Sequence, residues 1–210
     1  MMPDQLIIQL FSVCSMIGVF FFSVSGALFA AEKRMDILGF ILVAAVTGVG
    51  GGTLRDLLLG VTPVFWIAEP FNIYLCIIAA SVTYFAVNLF RQRDAWILWM
   101  DAIGLSVFAI MGAQAALIYG APPFIAVVMG VMTATFGGIM RDVLCAEVLT
   151  LMRPEIYITC ALLGAFVYVL LHQLGISESV ALIVAFVAGF SLRAAAIRFK
   201  LTLPSFQSFD

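Results

Sequence analysis

Seven long apolar segments dominate this sequence of 210 residues. A helix that crosses the hydrocarbon core of a bilayer needs about 20 mostly apolar residues. Segments of suitable length and character cover residues 6–31, 37–59, 71–90, 102–119, 124–145, 155–171 and 180–199. Only 10% of the residues are charged, against about 25% in a typical soluble domain. The sequence therefore predicts an all-α integral membrane protein with seven transmembrane helices.

Charge and residue usage argue against several functions. The net charge of −2 does not fit the strongly basic surface of a nucleic-acid-binding protein. The segments between the apolar runs are too short for an extramembrane catalytic domain, and His172 is the only histidine. The four cysteines lie in or beside apolar runs and read as small buried hydrophobic residues. We expect neither an enzyme nor a cofactor, and no metal beyond permeating monovalent cations.

Lysine and arginine residues fall on one side of the predicted topology. With seven spans, the N-terminus shares its side with loops that contain no Lys or Arg. The opposite side holds Lys33, Arg34, Arg91, Arg93, Arg153, Arg193, Arg198 and Lys200. Positive charge marks the cytoplasmic side, which predicts a multi-pass protein of the cell (inner) membrane with its N-terminus outside and its C-terminus in the cytoplasm. Arg193, near the end of the last span, is expected to snorkel to that interface.

The chain also repeats itself after 86 residues. The sequence Gly-Gly-x-x-Arg-Asp occurs at residues 51–56 and again at residues 137–142. Each unit holds three spans, and this odd number makes the second copy enter the membrane from the other side. Inverted repeats of this kind are typical of transport proteins. We therefore divide the chain into a first three-helix repeat (1–95), a second, inverted repeat (96–174), and a seventh helix with a cytoplasmic tail (175–210).

The repeated motif contains the residues best suited to an ion path. Three glycines within a helix, as at Gly50, Gly51 and Gly52, cost roughly 1 kcal/mol each relative to alanine. The second span, and the fifth with Gly137 and Gly138, are thus expected to be interrupted. Carbonyl groups freed inside a membrane must face protein or a water-filled cavity. Close helix packing is the other reading of these glycines.

The arginine and aspartate of each motif need partners within the membrane. Adjacent helical residues point about 100° apart, so we do not expect them to pair with each other. The inverted symmetry predicts pairs between Arg55 and Asp142 and between Arg141 and Asp56. Intramembrane ionisable residues usually mark a substrate or ion path, although a buried structural ion network is the alternative.

Three further polar residues are candidates for the path. The hydroxyl groups of Thr47 and Thr133 could face a pore or hydrogen-bond to their own helix. Asp101 opens the fourth predicted span, where an anion at the helix N-terminus or a role in ion binding would explain it.

The residues of both motifs resemble a known family. Residues 51–60, Gly-Gly-Thr-Leu-Arg-Asp-Leu-Leu-Leu-Gly, and the Pro-Val-Phe-Trp at 63–66 resemble the prokaryotic branch of the trimeric intracellular cation (TRIC) channels. Residues 101–109 and 141–144 resemble the second repeat of that family. The resemblance implies a homotrimer with one pore in each protomer, lined largely by kinked second and fifth helices, and conduction of monovalent cations, chiefly potassium.

The chain departs from the family pattern at positions that bear on the pore. Phe136 stands where the second repeat usually has its first glycine, which implies a stiffer or partly plugged kink. Ser15 stands at the first-repeat position equivalent to Asp101, where the family often has aspartate. Phe136 and Asp101 are therefore candidates for modulating the pore.

Two mechanisms follow from these residues. In a channel, freed carbonyls near the glycines, threonine hydroxyls and the carboxylates of Asp56 and Asp142 would replace part of an ion's hydration shell. Arg55 and Arg141 would then gate the path or compensate its charge. Similar sequences also carry the family description of glycine transporters. The alternative is therefore a carrier for a small zwitterion such as glycine, whose carboxylate an arginine would hold.

Overall fold

The computed structural model describes residues 2–89, 93–150 and 156–202, which form eight α-helices and one short 3-10 turn. The helices are α1 (Met2–Glu32), α2 (Ile37–Leu59), α3 (Phe65–Ala68), α4 (Phe71–Ala86), α5 (Arg93–Ile118), α6 (Pro123–Leu144), α7 (Ile158–Gln173) and α8 (Glu178–Phe199), and the 3-10 turn is Val87–Leu89. Five of them are long and apolar enough to cross a membrane, whereas α4 and α7 are apolar helices of 16 residues. The protein is an all-helical membrane protein.

Each apolar segment of the sequence overlaps one of the seven longer helices. The largest difference in bounds is at α5, which begins at Arg93 and not near residue 102. Asp101 therefore lies two turns inside a helix, and its assignment to a helix N-terminus was wrong. Arg91 and Arg153, which were counted for the topology, lie outside the described residues, as does the side chain of Arg93.

The glycines do not interrupt the two central helices. Both α2 and α6 continue as α-helix through their Gly-Gly pairs, so the predicted break was wrong. The physical reason is the contact that these glycines allow. A methyl group added at Gly51 would lie within 3.0 Å of the main-chain oxygen of Thr133, and one added at Gly137 would also lie within 3.0 Å of the main-chain oxygen of Thr47. Small residues let two backbones touch in this way, which offsets the low helix propensity of glycine.

The two contacts show that α2 and α6 cross in antiparallel directions. Gly51 meets Thr133 while Thr47 meets Gly137, so a step toward the C-terminus of α2 is a step toward the N-terminus of α6. The midpoint of the crossing lies between these residues. The ends of α2 and α6 that carry Arg-Asp therefore extend from it in opposite directions.

Contacts around the crossing recur at positions 86 residues apart. A methyl group at Gly26 would lie 2.9 Å from the main-chain oxygen of Val43, and one at Gly112 would lie 2.7 Å from that of Met129. Both glycines sit on the helix before the motif helix of their own unit, α1 or α5. Each packs against α2 or α6 respectively.

Turns at the ends of the helices also recur 86 residues apart. The chain leaves α2 through Gly60 with a φ of 70° and leaves α6 through Ala146 with a φ of 52°. It leaves α1 through Arg34 at 54° and α5 through Gly120 at 77°. Each pair has one glycine and one residue with a Cβ atom, although left-handed backbone favours glycine.

Arg193 does not behave as the sequence led us to expect. It lies in α8 with 0% of its surface exposed, so the prediction of a snorkelling side chain was wrong. Its Nη1 donates a hydrogen bond to the main-chain oxygen of Ile156 at 2.9 Å, and its guanidinium lies 5.1 Å from the ring centre of Tyr157. The arginine is thus stabilised by a main-chain oxygen and an aromatic ring inside the protein, and not by water at the membrane interface.

Candidate functional site: two buried Arg-Asp centres

The first centre consists of Arg55 and Asp56 near the end of α2. Nη2 of Arg55 lies 2.7 Å from Oδ1 of Asp56, and Nε donates a hydrogen bond to the same oxygen at 2.8 Å. The other oxygen, Oδ2, accepts the main-chain N–H of Phe65 at 2.8 Å. Asp56 is 2% exposed. Its carboxylate thus joins the arginine of α2 to the first residue of α3.

The second centre consists of Arg141 and Asp142 near the end of α6, and it is built on the same plan. Nε and Nη2 of Arg141 donate to Oδ1 of Asp142 at 3.0 and 2.8 Å. Oδ2 of Asp142 accepts the main-chain N–H of Thr150 at 2.6 Å and its hydroxyl at 2.7 Å. Arg141 is 1% exposed. In both centres the aspartate binds its neighbouring arginine with one oxygen and the returning chain with the other.

The predicted pairs between the two repeats were wrong. Each centre lies about six residues beyond the midpoint of the α2–α6 crossing, or about 9 Å of helix rise. Because the helices are antiparallel, these displacements are in opposite directions, and Arg55 cannot reach Asp142. The long arginine side chain instead folds along its own helix to the adjacent carboxylate.

Arg141 has partners that Arg55 lacks at the equivalent positions. Its Nη1 lies 2.9 Å from Oδ1 of Asp101 in α5 and donates to the hydroxyl of Ser25 in α1 at 2.9 Å. Its guanidinium lies 4.6 Å from the ring centre of Phe29. Asp101 therefore joins this centre, a pairing with Arg141 that the sequence did not predict. One guanidinium contacts two carboxylates here, whereas Ser15 occupies the equivalent position in the first repeat.

Aromatic side chains cover the second glycine of each motif, and sequence reasoning did not single them out. Cε1 of Phe65 lies 2.5 Å from the position of a methyl group at Gly52. The hydroxyl of Tyr157 lies 3.0 Å from the corresponding position at Gly138. Phe65 also lies under Arg55, with 5.5 Å between guanidinium and ring centre. Both residues come after a helix that carries the repeated motif, and this position in the sequence is the one feature that could have indicated them.

The remaining candidates have clear positions. The hydroxyls of Thr47 and Thr133 donate to main-chain oxygens of their own helices at 2.6 and 2.7 Å, the second of the two readings offered by the sequence. Gly50 faces the sulfur of Met140, which lies 2.7 Å from a methyl position there. Phe136 is half-buried in the middle of α6.

A polar cavity lies beside the second centre. Its volume is about 260 Å³, and its walls are Phe29, Glu32, Asp94, Ile97, Leu98 and Glu147. Phe29 connects it with Arg141, which lies over the ring of the same residue. Glu147 also forms an ion pair with Lys33, which ties the turn after α6 to the turn after α1. The acidic walls favour cations over anions.

Comparison with known proteins identifies the family to which the chain belongs. A family model described as glycine transporter matches the chain twice, over residues 12–88 and 98–173, and the two matches begin 86 residues apart. A crystal structure of the TRIC trimeric intracellular cation channel orthologue from Rhodobacter sphaeroides has a TM-score of 0.89 and 49% identity, and covers 91% of this chain and 99% of that one. The chain belongs to the TRIC family. Another prokaryotic TRIC channel, crystallised in 0.5 M KCl, has a TM-score of 0.87 and 30% identity, covering 93% of this chain and 99% of that one.

Relatives of this TRIC-family protein are membrane proteins. The UPF0126 membrane protein of Vibrio cholerae is 40% identical over 199 residues, which are 94% of this chain and 83% of the relative. The UPF0126 inner membrane protein YadS of Escherichia coli K12 is 38% identical over 192 residues, which are 90% and 93% of the two chains. The similarity therefore extends over nearly the whole chain.

Proposed function

We propose that this protein is a channel for monovalent cations, chiefly potassium, with one pore in each protomer of a homotrimer. The observation that carries the proposal is the pair of buried Arg-Asp centres on either side of the α2–α6 crossing. They occur in a chain that is 49% identical to a TRIC cation channel orthologue. Buried ionisable groups inside a membrane are costly and are retained where ions or substrates pass.

The proposed topology has seven spans in two inverted units of three, followed by a seventh helix. The units are residues 1–95 and 96–174, and the seventh helix with its tail is 175–210. The double match of the family model and the antiparallel crossing support this division. The excess of lysine and arginine supports an N-terminus outside and a C-terminus in the cytoplasm of the inner membrane.

The proposed path runs along α2 and α6, with its constriction at the crossing. Both helices are continuous, so carboxylate oxygens and polar walls, more than freed carbonyls, supply the favourable field for a cation. At the centres, each arginine is neutralised by at least one carboxylate. This pairing removes the repulsion that an unpaired guanidinium would exert on potassium.

Gating is the role that we propose for Arg55 and Arg141. Through Asp56 and Asp142, each arginine is connected to the chain segment that returns over the end of its helix. Removing an arginine takes away the group that orients its aspartate, which loosens the hold of that aspartate on the returning segment. The two substitutions to alanine should therefore raise the probability that the pore is open.

Planar bilayers provide the test. Purified protein should carry a current whose reversal potential follows an imposed potassium gradient, and Arg55→Ala and Arg141→Ala should alter its gating. Arg198→Gln, at an exposed position in α8, is the matched control. A bilayer that stays silent with correctly folded wild-type protein would refute the channel.

The alternative is a carrier for a small zwitterion such as glycine, and it is favoured by the description of the matching family model. Such a carrier needs a cationic group for the substrate carboxylate. Both motif arginines already contact carboxylates of the protein, which weighs against it. Saturable uptake of radiolabelled glycine into proteoliposomes, without unitary currents, would favour the carrier over the channel.

A further inference from the structure

We propose that Tyr157 closes the half of the ion path that lies at the second centre, and that Arg193 of α8 positions it there. This inference rests on the proposed channel function. Tyr157 immediately precedes α7 and is 2% exposed. Nothing in its sequence context singled it out.

The hydroxyl of Tyr157 enters the second centre. A methyl group at Gly138 would lie 3.0 Å from this hydroxyl, 3.7 Å from Nη2 of Arg141 and 3.7 Å from Oδ1 of Asp101. The tyrosine thus occupies the space beside the glycine surface, where the absence of a side chain would otherwise leave room next to the charged groups. A residue at this place can block passage past the centre.

The hydrogen bonding of Tyr157 does not fit a purely structural role. Among the described residues, neither its hydroxyl nor Oδ2 of Asp101 has a hydrogen-bond partner, although both atoms are buried. An unpaired buried polar group destabilises the state that contains it. Tyr168, in the same region of the chain, shows the structural arrangement, because its buried hydroxyl donates to Glu178 at 2.7 Å. We infer that the Tyr157 hydroxyl and Oδ2 of Asp101 gain partners when the path opens and water or a cation enters.

Arg193 holds the segment that carries Tyr157. Its Nη1 donates to the main-chain oxygen of Ile156 at 2.9 Å, and its guanidinium lies 5.1 Å from the centre of the tyrosine ring. The N–H of Ile156 donates to the oxygen of Leu201, just beyond α8. The last helix and the residues that follow it therefore bind both main-chain polar groups of Ile156, its N–H and its C=O.

The first centre is closed differently. There Phe65 covers Gly52, and its main-chain N–H is held by Asp56 of the same unit. In the part of the chain that the structure describes, α8 contacts the segment at the second centre through Arg193, and no such contact of α8 is seen at the first centre. This assigns α8 a task that the two inverted units do not perform by themselves.

Single-channel recording of four proteins tests the proposal: the wild type, Tyr157→Ala, Tyr157→Phe and Arg193→Gln. Tyr157→Ala removes the obstruction and should raise the open probability. Tyr157→Phe keeps the ring and removes the unpaired hydroxyl, so it should stabilise the closed state and lower the open probability. Opposite signs from two substitutions at one position are not expected of a residue that only packs.

Arg193→Gln should raise the open probability without changing the unitary current, because Arg193 positions the tyrosine and does not line the path. A desolvated cation–π contact of this kind corresponds to a shift of about thirtyfold in the ratio of closed to open states. The matched controls are Tyr168→Phe for the loss of a hydroxyl and Arg198→Gln for the loss of a charge on α8. Both controls should gate like the wild type.

The outcomes separate this inference from the channel itself. A conducting wild type, together with Tyr157 variants that gate normally, would overturn the inference and leave the channel intact. If Tyr157→Ala or Arg193→Gln does not elute and melt as a folded protein, Tyr157→Phe decides, and an open probability that is unchanged or raised counts against the proposal. A folded wild type and folded variants that are all silent would refute the channel function.

Discussion

Replacing Gly51 by alanine should separate α2 from α6. The added methyl group would lie within 3.0 Å of the main-chain oxygen of Thr133, a distance that real Cβ atoms essentially never show. The obstacle is backbone, so no side-chain rotation can relieve it and the two helices have to move apart. Overpacking of this kind typically costs about 1–3 kcal/mol, and we expect the upper end of that range for Gly51→Ala.

The melting temperature in detergent measures this cost. For a protein of this size, 1 kcal/mol shifts the melting temperature by about 2–4 °C, so Gly51→Ala should melt roughly 6–12 °C lower than the wild type. Gly164→Ala is the matched control, because Gly164 also lies within a helix but its added methyl group would find no atom closer than 3.6 Å. This control should be neutral or slightly stabilising, since alanine is the better helix former.

Combining Gly51→Ala with Gly137→Ala sharpens the test. Both substitutions force the same helices apart, and once the first has done so the second meets less resistance. The double variant should therefore lose less stability than the two single variants together. If Gly51→Ala melts like Gly164→Ala, the main-chain contact at the crossing does not exist as described.

Three further predictions concern single positions. Ala146→Gly should raise the melting temperature, because Ala146 has a φ of 52° that glycine adopts without strain. Relief of this strain should stabilise the folded state by about 1 kcal/mol, from which the added entropy of the unfolded chain is subtracted. Asp142→Asn should destabilise the protein by about 1–3 kcal/mol in thermal melting, because a neutral amide weakens the hydrogen bonds to the buried Arg141, which keeps its ion pair with Asp101. A change within the error of the control variants would contradict the described centre. The hydrogen bond from Lys33 to Glu147 raises the pKa of Lys33 above 10.5. The stabilisation from this ion pair should therefore be present at neutral pH and be lost as the pH rises through the raised pKa. In thermal melting, Glu147→Gln should remove this dependence of the melting temperature on alkaline pH.

The sequence predicts the helices well because their physical requirement is local. An apolar run of about 20 residues specifies a membrane helix without reference to its neighbours. The repeat likewise identified the two arginines and the two aspartates as candidates, whereas Asp101 was a separate candidate. These residues do gather in two centres in the structure.

Which charges pair depends on the point along α2 and α6 at which the two helices touch. The inverted repeat predicts that these helices run in opposite directions, but it does not predict that point. The crossing puts Arg55 and Arg141 on opposite sides of Gly51 and Gly137, and this alone excludes the predicted pairs. Arg193 was misplaced for a similar reason. Its distance from the helix end suggested an interface, whereas its environment is set by Tyr157, 36 residues earlier in the chain.

The contact between α2 and α6 involves main chain on both sides, and this has a mechanical consequence. At its closest points, Gly51 against Thr133 and Gly137 against Thr47, the contact has no side-chain rotamers to exchange, so it resists sliding. Rotation about the contact changes its distances little, whereas the two Arg-Asp centres, about 9 Å away, move through a much larger arc. We expect the crossing to act as a fixed pivot, so that a small rotation of α2 against α6 displaces Arg55 and Arg141 while the contact between the helices stays in place.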